Sequence, residues 1–284
     1  MLSIILPAKN EEYGLGVVLP ELIKSYPDDE IIVVDDGSID ATVEVCKRNG
    51  VKVISHPYSM GNGAAVKTGA RHASGETFVF MDADSQHQPS DVSALLLKMD
   101  EGFDMVVGAR SNSSQASYGR LVANKAYNRI ASIVVGHKIE DLTSGFRAVN
   151  ANKFNEFLYL LPNGFSYPTT STMAFFRNGY TVAYHPIHAN QRKGKSHINP
   201  LKEGLRFLLI IIKVATLYSP LKIFAPFALL NFSMGIGLYA YTYATVGRFT
   251  NMSLLLFMGS ILILIFGLLA EQITTLMYKN SEKP

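Results

Sequence analysis

Five short runs of apolar, mostly β-branched residues recur along the first 110 positions: SIILPA (3–8), EIIVVDD (30–36), VKVISH (51–56), TFVFMDAD (77–84) and DMVVGAR (104–110). Continuous apolar runs of this kind suit strands covered on both faces. Between them, segments 11–26, 39–49, 61–74 and 89–101 have the length of crossover helices, several opening on Asp, Ser or Pro. The alternation predicts an α/β fold with a doubly wound, mostly parallel sheet. In open sheets of this type ligands bind beyond the carboxyl ends of the strands. Asp35, Asp36, Asp82, Asp84 and Arg110 all fall there.

The pattern changes after about position 200. Residues 223–246 and 249–270 are runs of 24 and 22 positions without a charge, separated by Gly247 and Arg248. Each exceeds the roughly 20 residues needed to cross a hydrocarbon core. A transmembrane hairpin is expected, with two buried helices of a soluble fold as the alternative. Lys213, Lys222, Lys279 and Lys283 flank the hairpin on one side and only Arg248 lies in its turn, so the positive-inside rule sets the N-terminal part and both termini in the cytoplasm. Just upstream, NPLKEGLRFLLIIIKVATLYSP sets Lys202, Arg206 and Lys213 among Leu205, Leu208, Leu209 and Ile212. A helix of that pattern lies in the headgroup layer with its apolar face down, or packs on the adjoining domain. The expected division is an α/β domain over 1–198, an interfacial amphipathic helix over 199–221, a hairpin over 222–279 with spans near 223–247 and 253–277, and a tail over 280–284.

Charge and cysteine content change this picture little. The 26 basic and 23 acidic residues leave a formal net charge of +3, too small a bias to imply a nucleic-acid partner. The bases concentrate between 191 and 222, where seven Lys or Arg accompany one acid, Glu203. Cys46 is the single cysteine, which excludes an internal disulfide framework and fits a reducing compartment. The opening MLSIILPAKNEE holds an apolar run stopped by Pro7, far too short for the core of a secretion signal.

Chemistry enters with MDADSQH. Side chains at alternate positions of a strand point the same way, so Asp82, Asp84 and Gln86 converge on one point if extended geometry persists beyond the apolar run. An all-oxygen set suits Mg²⁺ or Mn²⁺, and Mg²⁺ takes one or two carboxylates together with phosphate oxygens and water. A diphosphate is the natural counter-ligand. Taken alone, DxD before Pro89 reads as a turn and a helix cap. A second acidic strand end, VVDDGSIDAT, changes the balance. There Gly37 and Ser38 form a turn and Asp40 caps the next helix, leaving Asp35 and Asp36, one of which can accept from a nucleobase or ribose. GNGAAVKTG at 61–69 has the glycines of a phosphate loop but follows no clean strand end and lacks GK[ST]. The seven histidines show no HExxH and no cysteine pairing, so zinc hydrolysis has little support.

In this order, PAKNEE (7–12), VVDDGSIDAT (33–42), MDADSQHQP (81–89), VVGAR (106–110) and DLTSGFRA (141–148) resemble the dolichol-phosphate mannose synthase branch of the inverting, GT-A-fold family-2 glycosyltransferases. The resemblance spans roughly residues 1–200. It implies transfer of a sugar from a nucleotide-sugar donor to the phosphate of a polyprenyl phosphate held in a lipid bilayer, with Mg²⁺ or Mn²⁺ as cofactor. Carried over by position, Pro7, Lys9, Glu11, Val34, Asp36 and Ala83 look like the nucleotide-sugar pocket, and Asp82, Asp84 and Gln86 like the metal and sugar-diphosphate site. Arg110, Arg120, Asn124, Ser144 and Arg147 resemble the acceptor-phosphate region. Arg192 and Lys195 resemble basic residues of a loop that closes over the donor. Asp84, Arg110 and Arg147 are the expected catalytic residues. Position 124 is Asn where the branch often has Ser, and Asn also donates a hydrogen bond; SYPTTST lacks acids that many mannose synthases carry nearby, so a GDP-mannose or a UDP-glucose type of donor is equally compatible.

Activation of a sugar hydroxyl requires a general base, and no Asp or Glu occurs from 157 to 197. A phosphate monoester, whose second pKa is about 6, is already a nucleophilic anion at neutral pH and needs none. Arginines suit it because a guanidinium holds phosphate oxygens bidentately. The alternatives are a transferase extending a glycolipid or polysaccharide at a hydroxyl, and an inactive scaffold that binds nucleotide sugar. Gly235, Gly237, Gly259 and Gly267 permit close helix packing and hence a homo-oligomer through the hairpin.

Overall fold

The computed structural model describes residues 1–110, 118–164, 166–187, 212, 216 and 218–279. It divides into two compact units, Met1–Pro200 and Leu201–Pro284. The first is built on one seven-stranded sheet. Its strands are β1 (Leu2–Ala8), β2 (Glu30–Asp35), β3 (Lys52–Ser55), β4 (Thr77–Phe80), β5 (Met105–Arg110), β6 (Arg147–Asn150) and β7 (Val182–Ile187), in the order β3-β2-β1-β4-β6-β5-β7. All neighbours are parallel except β6, which runs antiparallel to both β4 and β5. The mostly parallel, doubly wound α/β sheet expected from the apolar runs is therefore present.

Burial explains the continuous runs: every residue of β1 is buried, as are Ile31 to Asp35 of β2, because helices cover both faces. α1 (Glu12–Ser25) buries Gly14, Leu15, Val18, Leu19 and Leu22, one stripe at helical spacing. α2 (Thr42–Arg48), α3 (Asn62–His72) and α4 (Pro89–Asp100) follow the next three strands. Beyond β5 come α5 (Tyr118–Val135), the short α6 (Ala151–Asn155) and α7 (Tyr167–Arg177). In α5 the described side chains begin at Asn124.

Two features depart from expectation. β4 stops at Phe80, four residues short of the predicted end, because the chain turns at Ala83 and Asp84 and Ser85 takes a left-handed conformation, φ +58°. β6 and β7 had no counterpart among the five predicted strands. β6 has four residues, and β7 carries Pro186 and exposes part of its length, so neither presents a continuous apolar run.

In the second unit, α8 (Leu221–Val246) and α9 (Asn251–Lys279) are each long and apolar enough to cross a membrane. They pack closely: a Cβ on Gly235 would lie 2.9 Å from the Phe257 ring and one on Gly267 2.6 Å from Phe224 Cβ. Glycines that could serve a homo-oligomer are thus used within the hairpin, while Gly237 has nothing within 4 Å. Glu271 of α9 accepts from Ser219 Oγ (3.1 Å) and from the Leu221 amide (3.2 Å), satisfying a donor at the start of α8. The expected interfacial helix at 199–221 falls almost wholly outside the described residues.

Candidate active site

The site lies beyond the carboxyl ends of β1, β2, β4 and β5, where loops from four strands meet. After Phe80 one more ladder bond forms, from the Met81 amide to Ile5 O at 3.1 Å. The extended geometry that would align Asp82, Asp84 and Gln86 on one face ends there, and a turn presents them instead. Helix α1 shapes that turn from beneath: a Cβ on Gly14 would stand 2.1 Å from Ala83 O, so only glycine lets the helix approach. Asp84 Oδ1 accepts from the Gln86 amide at 3.2 Å. The Asp82 side chain is 39% exposed, and Gly145 backs it so closely that a Cβ there would lie 3.1 Å from Asp82 Oδ2. Tyr167 holds Gly145 in place by donating to its carbonyl at 2.8 Å. Beside the turn, His87 is buried and stacked on Phe146 with ring centroids 4.8 Å apart. Burial pushes its pKa down to about 4, so at neutral pH the imidazole 3.9 Å from Asp82 is uncharged and forms no ion pair.

Among the described residues no group of three His, Cys, Asp or Glu side chains forms a metal cage. Two half-exposed carboxylates and an amide on one turn leave most of a hard cation's shell to other oxygens. That donor set fits a cation shared with a diphosphate.

The other acidic strand end is built differently. Asp36 is buried and its carboxylate accepts four hydrogen bonds: from His56 Nδ1 (2.8 Å), Ser59 Oγ (2.7 Å), the Met60 amide (2.7 Å) and the Gly61 amide (2.9 Å). Burial raises its pKa, but these donors outweigh it and hold the group below the usual carboxylate range. Both oxygens are occupied in folding the 56–61 loop. Lys9 joins the same network, its Nζ donating to Ser59 Oγ at 2.8 Å. Asp35, also buried, accepts from the Ser38 amide at 2.9 Å. Asp40 accepts from the Thr42 amide, the first residue of α2, and from the Glu12 amide at the start of α1, but the N-cap position of α2 is Ala41, one residue beyond the Asp40 expected there. The Glu11 amide donates to Thr42 Oγ1 at 3.0 Å. Pro7 and Val34 are buried register partners in the sheet, and Ala83 is buried in the turn.

On the third side, Arg110 meets Asp141 through Nε (2.8 Å) and Nη2 (3.0 Å), and Nη2 also reaches Thr143 Oγ1 at 2.6 Å. Burial opposes the charge on Arg110, and Asp141 more than offsets it. Burial likewise pushes Asp141 up, and Arg110 pulls it below its ordinary value. Asp141 also accepts from the Thr143 and Ser144 amides, both at 3.1 Å, fixing the turn that leads to Gly145.

Arg147 occupies a different place from Arg110. Its side chain is fully buried, 0% exposed, on β6 opposite Phe80. It donates to Pro168 O (2.9 Å), Ser171 Oγ (2.8 Å), Thr172 Oγ1 (3.1 Å) and Ser144 O, tying α7 to the 141–145 turn. Burial lowers its pKa. In this conformation its guanidinium meets interior acceptors rather than the rim, and Ser144 is buried alongside it. Asn124 is half-buried on α5. The side chain of Arg120, and all of Arg192 and Lys195, lie outside the described residues.

Asp141, His56, Ser59, Gly14 and Gly145 were not identified from sequence. Asp141 opens the DLTSGFRA block, and Asp two residues before Thr is a recognisable turn pattern. The glycines carried no signal, because close backbone approach is a property of the assembled fold.

Residues 3–158 match the Glycosyl transferase family 2 profile, and residues 219–276 match the GtrB C-terminal hairpin. Dolichyl-phosphate hexose transferase of Haloferax volcanii is 27% identical over 75% of this chain and 93% of its own length. Glycosyltransferase AglJ of the same organism is 27% identical over 93% of this chain and 92% of its own. Among solved structures, glucosyl-3-phosphoglycerate synthase from Mycobacterium tuberculosis, in complex with Mn²⁺, UDP and glucosyl-3-phosphoglycerate, superimposes with a TM-score of 0.60 at 22% identity, covering 75% of this chain and 78% of that one.

Proposed function

The chain belongs to glycosyl transferase family 2, and on that premise we propose that it moves a hexose from a nucleotide sugar to the phosphate of a polyprenyl phosphate at the cytoplasmic face of a membrane. The observation that carries the acceptor assignment is the Arg110–Asp141 pair. Asp141 is the carboxylate against Arg110, and ion pairing with hydrogen bonding keeps it ionised and committed. A committed carboxylate of low pKa is a poor general base. Arg110 uses Nε and Nη2 on Asp141 and Thr143, and Nη1 has no hydrogen bond among the described residues. An anionic phosphate that needs orientation but no deprotonation suits that arrangement. The name of the Haloferax relative points to the same acceptor class.

In the reaction, an acceptor phosphate oxygen forms a bond to the anomeric carbon while the bond from that carbon to the donor's diphosphate oxygen breaks, with inversion. Asp82, Asp84 and Gln86 would hold Mg²⁺ or Mn²⁺, which offsets charge on the departing diphosphate. Gly14 and Gly145 give that turn its position. The loop built on Asp36 forms one wall of the donor pocket with Lys9 and Ser59 at its rim. Arg147 acts as a positioning residue, joining α7 to the 141–145 turn. The division into a catalytic domain, an interfacial helix at 199–221 and a membrane hairpin keeps the site near the headgroup layer, with both termini cytoplasmic as the flanking lysines imply.

Purified full-length protein with Mg²⁺ or Mn²⁺ and labelled UDP-glucose or GDP-mannose should form an organic-extractable product only when polyprenyl phosphate is added. Label entering a glycolipid hydroxyl or a polysaccharide end instead would overturn the acceptor assignment. Nucleotide-sugar binding without turnover on any acceptor would identify a scaffold.

A further inference from the structure

MDADSQH ends in a histidine with no part in the proposed reaction. His87 follows Gln86 directly, and its buried ring lies on Phe146 with the two planes 14° apart. Phe146 is a fixed support. It is itself fully buried, its carbonyl accepts from the Gly108 amide of β5 (2.9 Å), and a Cβ on Gly108 would stand 2.6 Å from Phe146 Cδ1. The imidazole is within electrostatic reach of Asp84 on the turn and of Arg110 and Asp141.

Packing alone does not account for a histidine here. Its Nδ1 is buried with no hydrogen-bond partner among the described residues, and a buried polar atom left unsatisfied is destabilising. A phenylalanine would stack on Phe146 without that penalty. The penalty is smaller when Nδ1 carries no proton, because an unpaired acceptor is better tolerated in an interior than an unpaired N–H. The single N–H of the uncharged ring is then on Nε2, which stands 3.9 Å from Asp82 Oδ2. That separation exceeds a hydrogen bond by about 1 Å. Asp82 is the partner able to close it, since its side chain is half-exposed on a turn while the histidine side chain is only 5% exposed.

We propose that His87 is a positioning residue for the cation and diphosphate site: its Nε2–H donates to Asp82 Oδ2 when that carboxylate engages a cation, and so fixes which way the Asp82 oxygens point. This rests on the proposed function, in which Asp82 serves a metal shared with the donor diphosphate. A carboxylate that ligates a metal is itself held by hydrogen bonds from outside the coordination shell, and loss of such a partner lowers metal affinity or activity about 10–100-fold. His87 acts only through Asp82. It touches neither the sugar nor the acceptor, and it moves no proton in the reaction.

The test reads Mn²⁺ binding to the full-length protein in detergent, with UDP or GDP present, from the electron paramagnetic resonance signal of free Mn²⁺. No acceptor and no turnover are needed. His87→Phe keeps the stack on Phe146 and removes the donor. It should weaken Mn²⁺ binding about 10–100-fold, while metal-free nucleotide affinity and melting temperature stay near wild type. His87→Gln sets an amide N–H near the place of Nε2 and should recover most of the loss, whereas His87→Asn, whose shorter side chain sets its amide near Nδ1, should not. In transfer assays the Phe variant should need more Mn²⁺ and regain turnover as Mn²⁺ is raised. Three results overturn the proposal: Mn²⁺ binding by His87→Phe equal to wild type, Gln and Asn variants that behave alike, or metal-free nucleotide affinity that falls in step with Mn²⁺ affinity, as for a ring that only packs. Wild-type protein that binds Mn²⁺ with neither nucleotide overturns it together with the metal site. If the expected order of Mn²⁺ affinities holds in a protein that transfers no sugar to polyprenyl phosphate, the role of His87 stands and the acceptor assignment falls.

Discussion

The two acidic strand ends look alike in sequence and are used in opposite ways. After β2, Asp35 and Asp36 are buried, and the second collects four donors from the 56–61 loop. After β4, Asp82 keeps 39% of its side chain exposed, on a turn whose Ala83 carbonyl lies against Gly14 and whose Asp82 carboxylate lies beside Gly145. A carboxylate surrounded by protein donors has its lone pairs filled and cannot also grip a ligand strongly. One that stays half-exposed on a turn remains within reach of a ligand. On the proposed function, the first pair builds the wall of the donor pocket and the second meets what enters it. The two arginines divide in the same manner: Arg110 sits at the rim on Asp141, and Arg147 is sealed inside on neutral acceptors.

The largest expected effect tests that division directly. Asp84→Asn or Asp82→Asn should cut sugar transfer at least about a hundredfold, the scale of removing one electrostatic stabiliser of a developing charge. Melting temperature should barely move, since exposed positions contribute little to stability. Label transfer and thermal melts in detergent read the two separately, and a large melting loss would make the DAD turn structural after all. Next in size is Arg147→Met. It strands the Ser144 carbonyl in the interior and removes the guanidinium's bonds to α7, where Pro168 O keeps Ser171 Oγ and Thr172 Oγ1 as donors, at a cost of about 2–4 kcal/mol. Arg110→Gln should lose activity with a much smaller fall in melting temperature. Equal melting losses for the two arginine variants would erase the distinction between them.

The sequence made the β-α-β frame readable because buried parallel strands are apolar throughout, and the first four helices emerge within three residues of expectation at each end. The hairpin was equally legible, since long uncharged runs have few other uses. β6 and β7 were not, because a four-residue antiparallel strand and a partly exposed edge strand carry little periodicity. At the site, the DAD block could be picked out by residue type. Its presentation could not, because alternation along an assumed strand stood in for a turn set by Gly14 and Ser85. Sequence treated Arg110 and Arg147 alike; burial separates them, and burial depends on long-range packing.

A smaller effect should follow from Gly14→Ala. The new Cβ would overlap Ala83 O, so either α1 or the DAD turn must shift. A displacement of a few tenths of an ångström at Asp82 and Asp84 should lower turnover about tenfold, given that misplacement by 1 Å costs about a hundredfold. On the proposed function, the Asp36 side of the donor pocket should stay in place, so nucleotide affinity measured without metal should stay near wild type. If that affinity falls along with turnover, the two strand ends are mechanically coupled, and the comparison is less sharp than the static geometry suggests.

The smallest effect is in the acid limb of stability, and it isolates the inward-facing carboxylate. Asp36 in the folded protein titrates below its ordinary value of 3.8 because its four donors outweigh burial. Between the folded and unfolded pKa values the unfolded chain binds more protons, so the contribution is complete above about pH 4 and is lost as pH falls through the folded value. Glu30, at the opposite end of β2, adds a second such contribution. Burial raises its pKa, but bonds from Ser3, Lys52 and Ser74 bring it down to about 2. Melts between pH 6 and pH 2.5 should therefore show stability declining below about pH 4. Asp36→Asn should flatten part of that slope, and Glu30→Gln another part. The Asn variant starts from a lower plateau, since an amide cannot accept from all four donors, so the informative quantity is the slope and not the midpoint. An unchanged slope in Asp36→Asn would mean that the His56, Ser59, Met60 and Gly61 donors do not favour the ionised carboxylate over the protonated one. Asp36 would then not be committed to its loop as an anion, and the contrast between the two strand ends would fail at its quieter end.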